Sequence, residues 1–392
     1  MKVIILIISI LYYFVFSFPV TLTVKENKKF VQNEDKDSSI TVSITVVGDL
    51  MCHSPQFEYA RVNKDSFDFT PPFSEVKKIL SASDFTLGNL ETVTAGKANG
   101  GYTGYPRFNT PDSYISALAN TGFDLLVTAN NHSLDRSENG VIKTIDQIKK
   151  NNISYVGTYL SGKDRDSIRI FDIKGLKVAV LAYSYGTNGN PIPKGKSYLI
   201  NLIDFDLIGK DISNAKINGA ELVLVQYHFG EEYKREPVKF QIDVVNKTIA
   251  LGADVIIGGH PHVLQPVQFF KTENAKLDTG FVAYSMGNFF SNQRKRYTDA
   301  GMILTLKVHK NFINSKIKIK EANFIPTWVF KGNINDKKGY LILLSTTVLD
   351  SANFLSGSDL NKMTQAFSDT REIVREYSTD EKLKEFKKSN VY

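Results

Sequence analysis

The chain has six histidines, and five of them sit in four short segments that each follow an apolar, strand-like run. Gly48-Asp49-Leu50-Met51-Cys52-His53 follows residues 44–47, and Ala129-Asn130-Asn131-His132 follows 125–128. His228-Phe229-Gly230 follows 222–227, and Gly258-Gly259-His260-Pro261-His262 follows 255–257. A fifth segment, Gly88-Asn89-Leu90-Glu91, follows 85–87 and adds a carboxylate and an amide. In open α/β sheets, ligands bind in the crevice beyond the carboxyl ends of the strands. Five such ends rich in Asp, Glu, Asn and His would converge on one place, which scattered histidines would not do.

The rest of the pattern supports an α/β fold. Residues 40–47 alternate β-branched with small residues and predict a first strand. Helical spacing over 73–81, 111–120, 140–150, 202–216 and 237–251 alternates with extended runs at 84–87, 123–128, 154–157, 221–227 and 254–257. Lys174-Gly175 between 167–173 and 176–183 predicts a hairpin. Beyond His262 the runs 263–270, 280–285, 301–309, 315–329 and 339–346 are strand-like, and 358–389 predicts one or two amphipathic helices. Alternating β and α implies a parallel or mixed sheet with helices on its faces. We expect one α/β sandwich domain over 40–347 and a helical extension over 348–392.

Lys2 precedes an apolar run from Val3 to Val20, broken only by Ser9, Ser17 and Pro19. That is the pattern of an export signal, and its length is also near the ~20 residues that span a bilayer. Residues 1–22 therefore read as a signal peptide or a membrane anchor, and 23–39, polar and charged, as a tether. Either reading places the domain outside the cytoplasm. Cys52 is the only cysteine, so no intrachain disulfide forms, and its apolar neighbours give it a packing role. The net charge of +7 is spread over many lysines. With no RNA- or DNA-binding motif, nucleic acid is not an expected partner.

Imidazole, carboxylate and carboxamide groups without thiolates suit borderline or hard divalent metals such as zinc, manganese or iron. Gly258-Gly259-His260-Pro261-His262 is the sharpest candidate: two histidines splay from a loop, Pro261 stiffens their spacing, and the glycines permit close approach. Asn130 reads as either a site residue or a cap for the next helix. His228 ends a very apolar strand and reads as a ligand or as a hydrogen-bonded core histidine. Asp49 alone would read as a cap, and gains weight only from its partner segments. His53 is a secondary candidate, and His309, within a strand, a structural residue. In the loop 100–108, Arg107 reads either as a grip for a substrate carboxylate beside Tyr105 or as an incidental arginine of a surface loop. Arg294-Lys295-Arg296 reads as a solvated charge run.

Six motifs occur in order: Gly48-Asp49-Leu50-Met51, Gly88-Asn89-Leu90-Glu91, Ala129-Asn130-Asn131-His132, His228-Phe229-Gly230-Glu231-Glu232-Tyr233, Gly259-His260-Pro261-His262-Val263-Leu264-Gln265 and Tyr284-Ser285-Met286-Gly287-Asn288-Phe289. From about Thr41 to Phe289 the chain resembles the CapA/PgsA capsule-synthesis family, proteins linked to poly-γ-glutamate capsules. That family is similar in fold to the calcineurin-like metallophosphoesterases. The resemblance implies a sandwich of mixed β-sheets flanked by α-helices, holding one or two divalent metal ions. It implies Asp49, Asn131, His228, His260 and His262 as metal ligands, His132 as general acid, and Asn288 as a substrate contact. Two positions depart from the wider superfamily: Met51 replaces the first motif's His, and Asn89 the bridging Asp. Glu91 and His53 are the candidates to stand in, with Asn89 beside them.

The leading expectation is an exported or membrane-anchored, metal-dependent enzyme of capsule or envelope polymer metabolism. Its substrate would be poly-γ-glutamate or a similar amide-linked anionic polymer, and membrane-bound capsule-synthesis proteins are candidate partners. The alternatives are a metal-dependent phosphoesterase, and a non-catalytic subunit that binds the polymer or anchors a synthesis complex. Protease applied to intact cells or spheroplasts should digest the domain beyond Lys25. Digestion only after lysis would overturn the export reading.

Overall fold

Why the five segments meet follows from the strand order of the computed structural model, which describes residues 38–334, 336–346 and 354–385. The expected signal or anchor over 1–22, and most of the tether, lie outside the described residues; Ser39 already belongs to the first strand. Among the described residues no helix is long and apolar enough to cross a membrane.

The chain begins β1 (Ser39–Leu50), α1 (Ser54–Tyr59), α2 (Ser74–Ser81), β2 (Phe85–Leu90), α3 (Ser113–Thr121), β3 (Leu125–Val127), α4 (Ser137–Lys150) and β4 (Ser154–Val156). It continues α5 (Gly162–Asp166), β5 (Arg169–Ile173), β6 (Leu176–Ser184), α6 (Phe205–Ile217), β7 (Leu222–His228), α7 (Lys239–Ala250) and β8 (Val255–Gly259). Strands then dominate: β9 (Val267–Lys271), β10 (Thr279–Ala283), β11 (Asn288–Phe290), β12 (Ala300–Asn311), β13 (Ile317–Ile334) and β14 (Lys337–Leu344). Last come α8 (Gly357–Arg375) and β15 (Leu383–Glu385).

Two mixed sheets result. The first runs β14-β13-β12-β1-β2-β3-β4, with β11 beside β1 and β15 beside β13; the second runs β5-β6-β7-β8-β10-β9. In the first sheet β1 to β4 are parallel. In the second, β6, β7, β8 and β10 are parallel. Parallel strands are covered on both faces and read as near-continuous apolar runs, as in β7, buried at every position. Alternate residues of the two sheets share one core: Val42, Ile44 and Val46 of β1 belong with Val178 and Val180 of β6 and Leu222 and Leu224 of β7. The opposite face of the second sheet buries Val223, Val225 and Tyr227 against Ile208, Ile212 and Ala215 of α6 and Val244 and Val245 of α7. The i, i+4, i+7 spacing in α6 makes that stripe, and the Asp204 carboxylate caps the helix by accepting the Leu207 N–H at 2.9 Å. A third cluster seats Met363 and Ala366 of α8 on Trp328 and Phe330 of β13.

The C-terminal segment departs from the helical expectation. One helix ends at Arg375, and Leu383–Glu385 is a strand instead. The reason lies in β13, which β14 covers only from Thr327 to Ile334. The open stretch before it takes β15 at Ala322–Phe324, closing an edge that would otherwise expose unpaired backbone. The Lys- and Glu-rich local sequence carries no sign of that distant edge. Arg294-Lys295-Arg296 is exposed, as a solvated charge run would be, and two of its members are also tied to the fold. Arg296 holds the Asp369 carboxylate of α8 at 2.8 and 3.1 Å, and Arg294 donates to the Val329 carbonyl at 2.7 Å.

Gly48 sets the spacing of β1 and β11, because a Cβ there would lie 2.0 Å from the Gly287 carbonyl oxygen. Gly48→Ala should therefore push the strands apart and cost on the order of 3 kcal/mol. A urea unfolding midpoint unchanged from wild type would contradict this.

Candidate metal centre

Each parallel strand delivers its polar end to the same cleft. The first sheet supplies Asp49 near the end of β1, Asn89 on β2 in register with it, Glu91 just beyond, and Asn131 and His132 from the loop after β3. The second sheet supplies His228 as the last residue of β7, and His260 and His262 from the loop after β8. None of these eight is more than 4% exposed.

Asp49 is the hub. Its Oδ1 accepts Asn89 Nδ2 at 2.8 Å, and its Oδ2 lies 3.1 Å from His262 Nδ1 and 3.3 Å from the His260 N–H. Gly259 allows this approach, since a Cβ there would lie 2.7 Å from Asp49 Oδ1. His260 and His262 both take positive φ, 96° and 59°, a conformation uncommon for residues other than glycine. His228 bridges to the first sheet, with Nε2 2.9 Å from Asn131 Oδ1 and Nδ1 3.2 Å from Asn89 Nδ2. Asn130 donates to Asn89 Oδ1 at 3.2 Å and to the Leu90 carbonyl at 2.8 Å. It holds the loop rather than serving only as a helix cap.

Burial governs the charges. It pushes the Glu91 carboxyl up to about 8, reinforced by the nearby Asp49 charge. For Asp49 burial also pushes upward, but the hydrogen bond from His262 and the nearby His262 and His228 outweigh it, and the net shift is downward. Burial opposes charge on His262 as well, yet Glu91 and Asp49 hold its imidazolium to about 9. For His228 and His260 the Asp49 charge does not offset burial and the neighbouring histidines, which take them down to about 3 and about 2. Both are neutral at pH 7 and offer nitrogen lone pairs.

Both Glu91 oxygens are buried without a hydrogen-bond partner, and so is His260 Nδ1. Buried polar atoms are almost always paired, so these orphans mark a place shaped for something else. Two overlapping groups qualify as cation cages: Glu91 with His260 and His262, and Asp49 with Glu91 and His228. Within each group the donor atoms lie within 4.8 Å of one another, close to the ~4 Å that separates opposite donors on a metal with ~2 Å bonds. The residues fit a divalent metal.

His132 stands apart from both cages. Its Nδ1 lies 2.8 Å from Asp135 Oδ2, which also accepts the Phe108 N–H at 2.6 Å. Asp135 was not singled out by sequence reasoning, although its place three residues after His132 is a usable signal. Tyr185 and Tyr233 also escaped notice. The Tyr185 ring lies 4.5 Å from the His260 ring, and the Tyr233 ring 6.3 Å from that of His262.

Other candidates fall outside the cluster. His53 belongs to neither cage: its Nδ1 lies 3.2 Å from Gln56 Oε1 and accepts the Asn292 N–H at 3.4 Å. Burial takes it down to about 4. Phe108 stands between His53 and His132, edge-on to both. Met51 is buried, with its sulfur 3.8 Å from Ser291 Oγ. Arg107, expected to grip a substrate carboxylate, donates from Nε and Nη2 to the Asp135 carbonyl at 3.2 and 2.9 Å. Asn288, expected to touch substrate, stands in register with Asp49 on the neighbouring strand and is fully buried; its Nδ2 donates to Gln293 Oε1 and the Thr298 carbonyl, and its Oδ1 has no hydrogen-bond partner. Tyr105 is exposed. His309 lies opposite Thr41, near the other end of β1.

Residues 43–293 match the family described as "Bacterial capsule synthesis protein PGA_cap". The chain belongs to this family. Similar proteins include the capsule biosynthesis protein CapA of Bacillus anthracis, 30% identical over 64% of this chain and 60% of that protein. The PGA biosynthesis protein CapA of Bacillus subtilis is 28% identical over 76% of this chain and 77% of that protein. The chain thus matches less than two thirds of the Bacillus anthracis protein's length. Solved structures with some likeness include the Haemophilus influenzae NAD nucleotidase (13% identity, TM-score 0.46, 89% of this chain and 64% of that one). Another is the calcineurin-like phosphoesterase YfkN of Bacillus subtilis (15%, 0.41, 86% and 99%). Overlaps of that quality carry no argument about this chain.

Metal ligands must be deprotonated, so binding releases protons. With Glu91 held up to about 8 and His262 to about 9, both carry protons at pH 6. Manganese or zinc affinity should therefore rise with pH and level off near pH 9. Calorimetric titration in buffers of different ionisation enthalpy reads the released protons. Affinity that does not change between pH 6 and 9 would remove Glu91 and His262 from the ligand set.

Proposed function

We propose that the chain is a metal-dependent enzyme of capsule or envelope polymer metabolism, working outside the cytoplasm on poly-γ-glutamate or a similar amide-linked anionic polymer. The observation that carries this reading is Glu91, a fully buried carboxylate with both oxygens unpartnered, shared by two candidate cation cages. Membership of the capsule-synthesis family supports the substrate class.

Asp49, Glu91, His228, His260 and His262 would hold the metal, with the Asn131 carboxamide oxygen beside His228. When bound, a divalent metal supplies Lewis-acid polarisation of a substrate carbonyl. His132 would act as the proton donor. With Asp135 accepting at Nδ1, Nε2 is the nitrogen through which the doubly protonated ring would give a proton to the departing group, leaving a neutral imidazole still bonded to Asp135. Asp135 is itself fixed: Phe108 donates to its carboxylate, and Arg107 and Arg136 both donate to its carbonyl. Tyr185 and Tyr233, half-exposed over the histidines, would line the approach with aromatic faces.

His132→Ala should lower turnover about 10²–10⁴-fold, the usual contribution of a general acid, with metal content near wild type. His260→Ala should lower both. The assay presents poly-γ-glutamate and a phosphodiester side by side, with and without chelator, and metal is counted by elemental analysis. If His132→Ala loses metal as fully as His260→Ala, His132 is a ligand and not the acid. Turnover of the phosphodiester alone would make the chain a phosphoesterase, and turnover of neither a polymer-binding subunit.

A further inference from the structure

The end of the molecule opposite the metal centre carries its own pattern. Parallel strands that deliver their carboxyl ends to the cleft begin at this other end, where α6 and the β12–β13 hairpin also turn. There Ile313 is 82% exposed, Ile217 78% and Phe312 42%. The turn at Gly175 lies between their segments: a Cβ on Gly175 would lie 3.2 Å from the Phe312 ring, and one on Gly219, two residues after Ile217, would lie 3.9 Å from Lys177 Nζ. Lys310 Nζ sits 5.0 Å from the centre of the Phe312 ring and donates to the Gly175 carbonyl at 2.6 Å.

Some acidic groups at this end are paired, whereas Glu273 and Asp278 in the turn between β9 and β10 are exposed. Glu221 pairs with Lys310 and Lys276, Asp84 with Lys174, and Asp172 accepts the Gly175 N–H. Lys177, Lys216 and Lys316 are exposed among the apolar tips. Large apolar side chains ringed by lysines are the composition of surfaces that enter the headgroup region of an anionic bilayer.

The path of the chain points the same way. The described residues begin at Ser38, whose carbonyl accepts the Phe312 N–H at 2.9 Å. The apolar run ending at Val20 is joined to the domain at this same end. The intervening seventeen residues span at most roughly 60 Å when fully extended, so a membrane holding that run lies within reach of the hairpin tip.

We propose that this end, with Phe312, Ile313 and Ile217 at its tips and Lys177, Lys216 and Lys316 around them, docks on the anionic surface of a lipid bilayer. The catalytic cleft then opens away from the membrane, toward polymer in solution. The inference does not depend on which reaction the cleft performs.

Cys52 is the only cysteine and is buried, so Ile313→Cys in the full chain accepts a fluorescent label at one place. Val62→Cys, 67% exposed beyond α1, provides the control. Each is reconstituted into vesicles of phosphatidylcholine, with or without phosphatidylglycerol, that contain a brominated-chain lipid as quencher. In vesicles with phosphatidylglycerol, the label at 313 should be quenched several-fold more than the label at 62. Changing Lys177, Lys216 and Lys316 to Glu should bring it down toward the control. Equal quenching at the two positions in vesicle-bound protein overturns the proposal, as does a 313 label buried without lipid by a second copy of the chain. A full chain that does not associate with vesicles overturns both this surface and the anchoring reading of the N-terminal run.

Discussion

The fold places two carboxylates, Asp49 and Glu91, in an interior where an isolated charge would be very costly, and much of the surrounding structure answers to that. Asp49 is compensated by protein: the Asn89 amide, the His262 ring and the His260 N–H all turn toward it. That compensation recruits residues from both sheets, so the two layers are tied together at one end by a polar cluster and elsewhere by apolar packing. Glu91 is left without such partners. The protein therefore holds one acid ready-charged and the other protonated near neutrality, which is a reason for the cleft to take up a cation rather than stand empty.

Much of this was legible because parallel strands simplify the sequence. Buried on both faces, β7 and β8 read as near-continuous apolar runs, β1 interleaves its apolar residues with Ser and Thr, and the first charged or imidazole residues after each mark the strand ends. The histidines and acids stand out there because nothing in a β-strand's packing calls for them. The hairpin at Lys174-Gly175 and the cap at Asp204 were legible for local reasons, a positive-φ turn in the first and a side chain accepting Leu207 N–H in the second. β15 was not, because its pairing is decided by how far β14 runs along β13. Two short helices, α1 and α5, span only 6 and 5 residues, too few for a helical period to register.

Within the site, residue type was more legible than direction. His53 has the right chemistry and follows the right strand, but α1 begins beside it. Its ring serves that helix start and the Asn292 N–H instead. Arg107 and Asn288 likewise have the right donors, and those donors are turned inward. Arg107 steadies Asp135, and Asn288 holds the Gln293–Thr298 turn. Tyr185 was invisible because aromatics at a strand end look like core, and only the fold shows its ring lying on His260.

Met51 and Asn89, which stand where the metallophosphoesterase pattern that the sequence resembles has His and Asp, have one physical explanation in this geometry. An acid at position 89 would lie against Asp49 with Glu91 close by, three carboxylates in a fully buried space. As an amide, Asn89 instead donates to Asp49 Oδ1 at 2.8 Å and lies 3.2 Å from His228 Nδ1. The carboxylate two residues on serves the same side of the chain, because positions two apart in an extended segment point the same way. Glu91, one methylene longer than Asp, reaches back to within 3.4 Å of His228 and 3.7 Å of His262. With the acid moved two residues along, a histidine at 51 has no carboxylate to complement there, and Met51 fills the space as core beside Ser291. Restoring Asp at 89 alone would therefore add a charge without a partner rather than rebuild a site.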